Sequence, residues 1–143
     1  MIQSLLSDPT VQLLEQSLNF TEQRHQVILQ NIANVSTPGY MQQDVSVAGF
    51  EQALRDAVDR QRASYNGDYA PESNDDVQFV PGSTQVQVKP HATQDAMAFH
   101  DRGVRSIESL MGDLADNAIA HNTIAGLLKT RYAWISNAIS MKA

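Results

Sequence analysis

Val11, Leu14, Leu18, Thr21, His25, Ile28, Ile32 and Val35 follow one another at alternating spacings of three and four. That rhythm winds one seam along an α-helix and repeats every seven residues, as in coiled coils. Its two polar members, Thr21 and His25, read as positions that set register by hydrogen bonding within a mostly apolar seam. Asp8-Pro9 supplies the start: the aspartate can accept backbone N–H bonds as N-cap, and proline at the first helical position gives up no needed donor. The predicted helix therefore runs from Pro9 to about residue 34. A second stripe, Leu13, Phe20, Val27 and Leu29, flanks the first and makes the apolar surface wider than one partner helix covers.

The C-terminal third repeats the pattern through Ile107, Met111, Leu114, Ala118, His121, Ala125, Leu128, Tyr132, Ile135 and Ile139, with His121 its polar member. Ser106 is the expected N-cap. Glu108, Asp113 and Asp116 lie in the first half, and Lys129, Arg131 and Lys142 in the last, as the helix macrodipole favours. At ~1.5 Å per residue the two helices measure about 38 Å and 50 Å, a rod-like pair. The pattern leaves open whether they pair within one chain or between chains. Antiparallel pairing within the chain leaves Trp134, Ile135 and Ile139 in need of cover from elsewhere.

Residues 41–100 change character, punctuated by Gly67, Pro71, Pro81, Gly82 and Pro90. A short helix is predicted over Phe50–Arg62, with Phe50, Ala53, Leu54, Ala57 and Val58 on one side. Val77 with Phe79 and Val86 with Val88 alternate with polar residues, predicting a small hairpin across Pro81-Gly82-Ser83. Pro71-Glu72-Ser73-Asn74-Asp75-Asp76 reads as an exposed loop. The expected fold is mainly α: long N- and C-terminal helices forming a coiled-coil pair around an irregular middle segment that contains a short helix and a β-hairpin. Residues 1–40 and 101–143 make one discontinuous unit, and residues 41–100 make outer or lateral contacts.

Charge and composition narrow the chemistry. A net charge of −6 and a pI near 5.0, without clustered Lys or Arg, oppose nucleic-acid binding. There is no cysteine, so disulfides and thiolate chemistry are excluded. No apolar run approaches the ~18 residues of a membrane span, and the N-terminus lacks the features of a cleaved signal peptide. His25, His91, His100 and His121 stand without the carboxylate or histidine spacing of metal sites. Asp75-Asp76 and the helical pair Asp113 and Asp116 read as solvated carboxylates, and no nucleophile or phosphate-binding motif is present. The expectation is therefore no enzyme, no cofactor, no metal and no small-molecule substrate; a hydrolase built on His100 and Asp101 is the weakest alternative.

What ends the first helix is more informative. In Ser36-Thr37-Pro38-Gly39, proline disfavours helix at Thr37 and presets the second turn position, while Gly39 supplies positive φ at the third, predicting a type II turn. The full string Asn31-Ile32-Ala33-Asn34-Val35-Ser36-Thr37-Pro38-Gly39-Tyr40, after a heptad helix near the N-terminus, closely resembles the Asn-Ile-Ala-Asn-x-x-Thr-Pro-Gly-Tyr signature of bacterial flagellar axial proteins, the rod and hook family. The resemblance covers residues 11–62 and 101–143 well and residues 63–100 in general character. It lacks the Gln-Arg-Ala-Tyr pattern usual in the second helix of other members, and the opening of that helix, His100 to Ser106, departs from the usual Asn-x-Val-Asp segment.

The resemblance implies a self-assembling subunit of the flagellar basal body, in the proximal part of the rod. Such a subunit joins the membrane ring and export gate to the shaft and transmits torque. Its implied partners are copies of itself, other rod proteins, the ring and gate proteins, and the flagellar type III export apparatus. Its implied place is the periplasmic rod, reached without a cleaved signal. Asn31, Ile32, Ala33, Asn34, Thr37, Pro38, Gly39 and Tyr40 would form the family turn. Val11, Leu14, Leu18, Ile28, Ile32, Ile107, Met111, Leu114, Leu128, Tyr132, Ile135 and Ile139 would be the seam contacts. A different rod protein of this family, or a cytoplasmic coiled-coil adaptor or export chaperone, are the other readings.

Overall fold

A computed structural model describes residues 8–63, 69–93 and 103–141. His100, Asp101 and Lys142 lie outside the described residues. The chain is mostly helical, in the order α1 (Pro9–Ala33), β1 (Gln43–Asp44), α2 (Val47–Ala63), β2 (Val77–Phe79), β3 (Val86–Val88), β4 (His91–Ala92) and α3 (Gly103–Ser140).

Helix α1 begins as its sequence dictates, with the Asp8 carboxylate accepting from the Thr10 N–H at 2.9 Å and Pro9 at the first helical position. It ends at Ala33, so Val35, the last expected seam residue, lies beyond the helix. Helix α3 is already under way at Gly103, which places Ser106 inside the helix rather than at its cap. Its 38 residues span about 57 Å.

The two long helices pack antiparallel within the chain. Val11 and Leu14 of α1 cluster with Leu128, and Leu18, Ile124 and Ile135 close around them. Asp8 meets Arg131 at one end, while Thr21 meets Asn117 and His121 nearer the middle. The face that α3 turns to α1 is Leu110, Leu114, Asn117, His121, Ile124, Leu128, Arg131 and Ile135, all buried or half-buried. Half of that face matches the expected seam. In the other half, the exposed Met111 and Tyr132 give way to Leu110 and Arg131, while Ala118 and Ala125 are half-buried beside Asn117 and Ile124. Asn117 and Arg131 are polar, so a count of apolar positions passes over them; both find partners on α1 or its cap.

The middle segment is not left irregular. Helix α2 starts three residues earlier than predicted because Ser46 caps it, its hydroxyl accepting from the Gly49 N–H at 3.0 Å. Phe50, Ala53, Leu54 and Ala57 are buried beneath it. Strands β2 and β3 form the expected antiparallel hairpin, with Val77 opposite Val88 and Phe79 opposite Val86, and Gly82 takes a φ of 73° in the connecting turn. A second two-residue ladder, Gln43 opposite Ala92 and Asp44 opposite His91, is too short to leave a periodic signal in the sequence.

These pieces close over the second stripe of α1. Phe20 and Val27 join Val45, Phe50, Ala53, Leu54, Val77, Phe79 and Val86 in one core, with Leu13 packed against it. Phe20 and Phe50 stack with ring centroids 4.0 Å apart, and Phe79 lies 6.1 Å beyond Phe50. The stripe that looks too wide for one helix thus has a second cover in its own chain; Leu29 is its exposed member, at 44%. The Pro71–Asp76 loop is pinned as well: Asn74 Oδ1 accepts from the N–H groups of Asp76 and Val77, and its amide donates to the Gly49 carbonyl at 3.0 Å. Gly49 leaves room for this contact, since a Cβ there would press on the Asp76 carboxylate and force it to shift.

Phe50 is the middle ring of the three and is 5% exposed. Phe50→Ala should cost about 3–5 kcal/mol, read as a lower midpoint in urea unfolding. A loss under about 1 kcal/mol would mean that this core contributes little.

Candidate assembly interface

The turn motif is built around Asn31. Its side chain is 3% exposed and bridges three groups: Nδ2 donates to the Gln43 carbonyl at 2.5 Å, and Oδ1 accepts from the Gln43 N–H at 3.0 Å and the Tyr40 hydroxyl at 3.1 Å. One primary amide thereby imitates a strand partner for Gln43, exchanging both an N–H and a C=O bond. Losing such a buried set costs more than its net worth, because the backbone groups left behind stay dehydrated.

Asn34 ends the helix. Its N–H and its side-chain amide both donate to the Gln30 carbonyl, at 3.1 and 2.9 Å, and its own carbonyl accepts from the Thr37 N–H at 2.9 Å. The Tyr40 N–H then donates to the Thr37 carbonyl at 3.2 Å across Pro38 and Gly39, and Gly39 has a φ of 76°. This is the geometry of a type II turn, in which the positive φ requires glycine. Within the motif Asn31 is buried, Ile32, Asn34 and Tyr40 are half-buried, and Ala33, Thr37, Pro38 and Gly39 are exposed.

Gln23 repeats the device of Asn31 two turns earlier on α1. Its amide donates to the Val86 carbonyl and accepts from the Val88 N–H, the latter at 3.1 Å. Gln16, 4% exposed, accepts from the Tyr69 hydroxyl at 2.8 Å, and burial pushes that phenol up to about 12. Asn19 donates to the Thr84 carbonyl at 3.4 Å. A row of amides therefore docks the middle segment onto α1. Sequence reading passes over it because amides at helical spacing resemble a solvated face.

On the opposite side, polar pairs fix the register of α1 against α3. Thr21 donates to the Leu18 carbonyl at 2.8 Å, so the His121 Nδ1 contact at 2.9 Å calls for a proton on that nitrogen. Asn117, 2% exposed, donates to the Thr21 carbonyl at 2.9 Å. The two polar residues expected in separate seams, Thr21 and His121, thus meet each other. At one end of the pair Arg131 reaches Asp8 through two nitrogens, and beside it Tyr132 donates to Glu15, which pushes the Tyr132 phenol up to about 12. Arg24 instead faces the middle segment, 3.6 Å from Asp44 of β1, and on α3 burial pushes the Asp113 carboxyl up.

Of the expected seam contacts, Val11, Leu14, Ile28 and Leu128 are buried, and Leu18, Ile32, Leu114 and Ile135 are half-buried. Ile107, Met111, Tyr132 and Ile139 are 38 to 49% exposed and lie off the inner row, although the Tyr132 hydroxyl still reaches Glu15 of α1. They share α3 with Ile119, Leu127 and Trp134, exposed by 55 to 65%, and Met141 just past its end is 88% exposed. Leu29 and Met41 are the large exposed apolar residues elsewhere among the described residues.

No protein-family model, curated protein or solved structure matches this chain. The functional reading therefore rests on residues and geometry. Among the described residues no group of three or more His, Cys, Asp and Glu could hold a metal ion, and no helix is long and apolar enough to cross a membrane. Among the described residues, an open groove of about 340 Å³ lies between α1 and α2, lined by Leu13, Leu54, Val58, Arg55, Asp59 and Arg62.

Burial opposes ionisation of Asp8, but hydrogen bonds from Arg131 and Thr10 outweigh it and hold the carboxyl below its ordinary 3.8. A depressed carboxylate contributes stability fully above its unfolded value and loses it as pH falls through the folded one. Urea midpoints measured from neutral pH to about 2 should therefore drop below pH 3.8 with a contribution that Asp8→Asn removes. Identical acid limbs for both proteins would show that the Asp8–Arg131 pair is not held.

Proposed function

We propose that this chain is a structural subunit of a helical assembly, a proximal rod protein of the flagellar axial family. The observation that carries the reading is the turn string Asn31 to Tyr40, whose residues have separate mechanical duties: a buried clamp at Asn31, a helix end at Asn34, a redirected chain at Pro38 and Gly39. That division suits a subunit that keeps its long helices in one layer and sends its middle segment out along the flank. Support also comes from the apolar residues left bare along α3, which suit contacts with neighbouring subunits.

In this reading α1 and α3 form a coiled-coil pair lining the inner part of a tube, and torque passes through many apolar contacts rather than a single joint. Residues 114–139, LADNAIAHNTIAGLLKTRYAWISNAI, look like the end of the proximal rod protein FlgB. That resemblance selects FlgB over other rod members. Its partners would be copies of itself, other rod proteins, the membrane ring and export gate at the rod base, and the type III apparatus that delivers it to the periplasmic rod. A cytoplasmic adaptor would leave the Asn-Ile-Ala-Asn…Pro-Gly-Tyr string without a purpose.

Quantitative mass spectrometry of purified hook-basal bodies should find the chain in a few copies per structure. Gly39→Val should leave the isolated chain soluble yet reduce incorporation. A Cβ at Gly39 meets nothing within 4 Å, so the cost is conformational, about 1–3 kcal/mol for a β-branched residue at positive φ. Basal bodies complete without the chain, and the chain confined to the cytosol, would defeat the proposal.

A further inference from the structure

Arg24 stands on α1 between two carboxylates that belong to different elements. Its side chain is 16% exposed, and its Nε is buried without a hydrogen-bond partner. The Asp44 carboxylate of β1 lies 3.6 Å from that nitrogen, near enough to attract its charge and too far for a hydrogen bond. The same Asp44 oxygen already accepts from the Val45 N–H at 2.8 Å. His91, opposite Asp44 in the ladder, lies 3.0 Å from Asp76 instead. A buried donor left unpaired costs free energy, so a native chain that keeps one calls for a reason.

The second carboxylate is Asp113 of α3. The two long helices run antiparallel with Asn117 bonded to the Thr21 carbonyl, so one turn further along α1 comes Arg24 and one turn back along α3 comes Asp113. Burial pushes the Asp113 carboxyl up; the charge of Arg24 opposes that rise, while those of Asp44 and Asp116 add to it. Charges on α1, β1 and α3 thus act on one carboxyl. A single cation stands between two acids, and its Nε is bonded to neither. We propose that Arg24 is a two-position latch whose guanidinium exchanges between Asp44 and Asp113, so that loosening of the middle segment at β1 tightens the hold of α1 on α3, and the reverse. The exchange needs movement of one side chain. Neutralising either acid leaves the cation to the other. The latch works within a single chain and goes beyond the assembly proposed above, so the two stand or fall separately.

Nuclear magnetic resonance on the purified full chain tests it, with asparagine replacing either acid. Asparagine at residue 44 keeps an oxygen able to accept from Val45. In Asp44→Asn the Asp113 carboxyl should titrate lower than in the unaltered chain, and the Arg24 Nε–H resonance should follow that titration. In Asp113→Asn the Val45 amide, bound to Asp44, should exchange about two- to fivefold more slowly, since Arg24 is then left to Asp44. Arg24→Gln should raise the Asp113 titration and abolish the effect of Asp113→Asn on Val45, because the coupling passes through the guanidinium. An Nε–H resonance indifferent to Asp113 in Asp44→Asn, or a change at Val45 of the same size with and without Arg24, would overturn the proposal. Should Arg24→Gln fail to fold, the Asp44→Asn readout decides alone, since the Asp44 side chain is 49% exposed.

Discussion

The rest of the structure hangs on one arrangement: primary amides on α1, one buried and one half-buried, that take the place of missing strand neighbours. Gln23 satisfies the edge of β3, and Asn31 satisfies Gln43 where the chain returns from the turn. Strands of two or three residues are too short to hold together unaided. Here their backbone groups are bound to a helix instead of to a larger sheet, and the stacked phenylalanines fill the space beneath. Two requirements coincide on one helix face, since the amides need partners once buried and the strand edges need partners once folded.

The consequence is a helix buried on both sides next to one buried on a single side. Helix α1 meets the middle segment through Phe20, Gln23, Val27 and Asn31, and meets α3 through Val11, Leu14 and Thr21. Helix α3 has no comparable second cover among the described residues, and it carries most of the exposed large apolar side chains. Polar contacts at Asn117, His121 and Arg131 hold its inner row in one register, which in turn fixes which row points outward. An assembling subunit has use for that asymmetry, because the bare face is then presented at a defined angle.

Much of this could be read from the residues. The heptad rhythm located both long helices, Asp8-Pro9 marked the first start, and the alternation around Pro81-Gly82 marked the hairpin. Pro38-Gly39 predicted the turn whose φ of 76° the structure shows. What could not be read came from polar residues doing apolar positions' work. Asn117 and Arg131 belong to the inner row, but a tally of apolar positions passed over them and chose the exposed Met111 and Tyr132. Gln16, Asn19 and Gln23 carry no apolar signal and so leave no trace in such a tally. Ser46 was missed as a cap because no acidic partner follows it at capping-box spacing, and the ladder of β1 with β4 is too brief to set up a period.

The central claim is that α1 is held from both sides by its own chain. Native-state hydrogen exchange on the dilute, purified protein tests it most directly. The account predicts that amides from Leu14 to Ile28 open only with global unfolding, and that the Val88 and Gln43 amides, bound to Gln23 and Asn31, share that protection. Free exchange at Val88 and Gln43 while α1 stays protected, or an α1 that exchanges as fast as the last turn of α3, would contradict it.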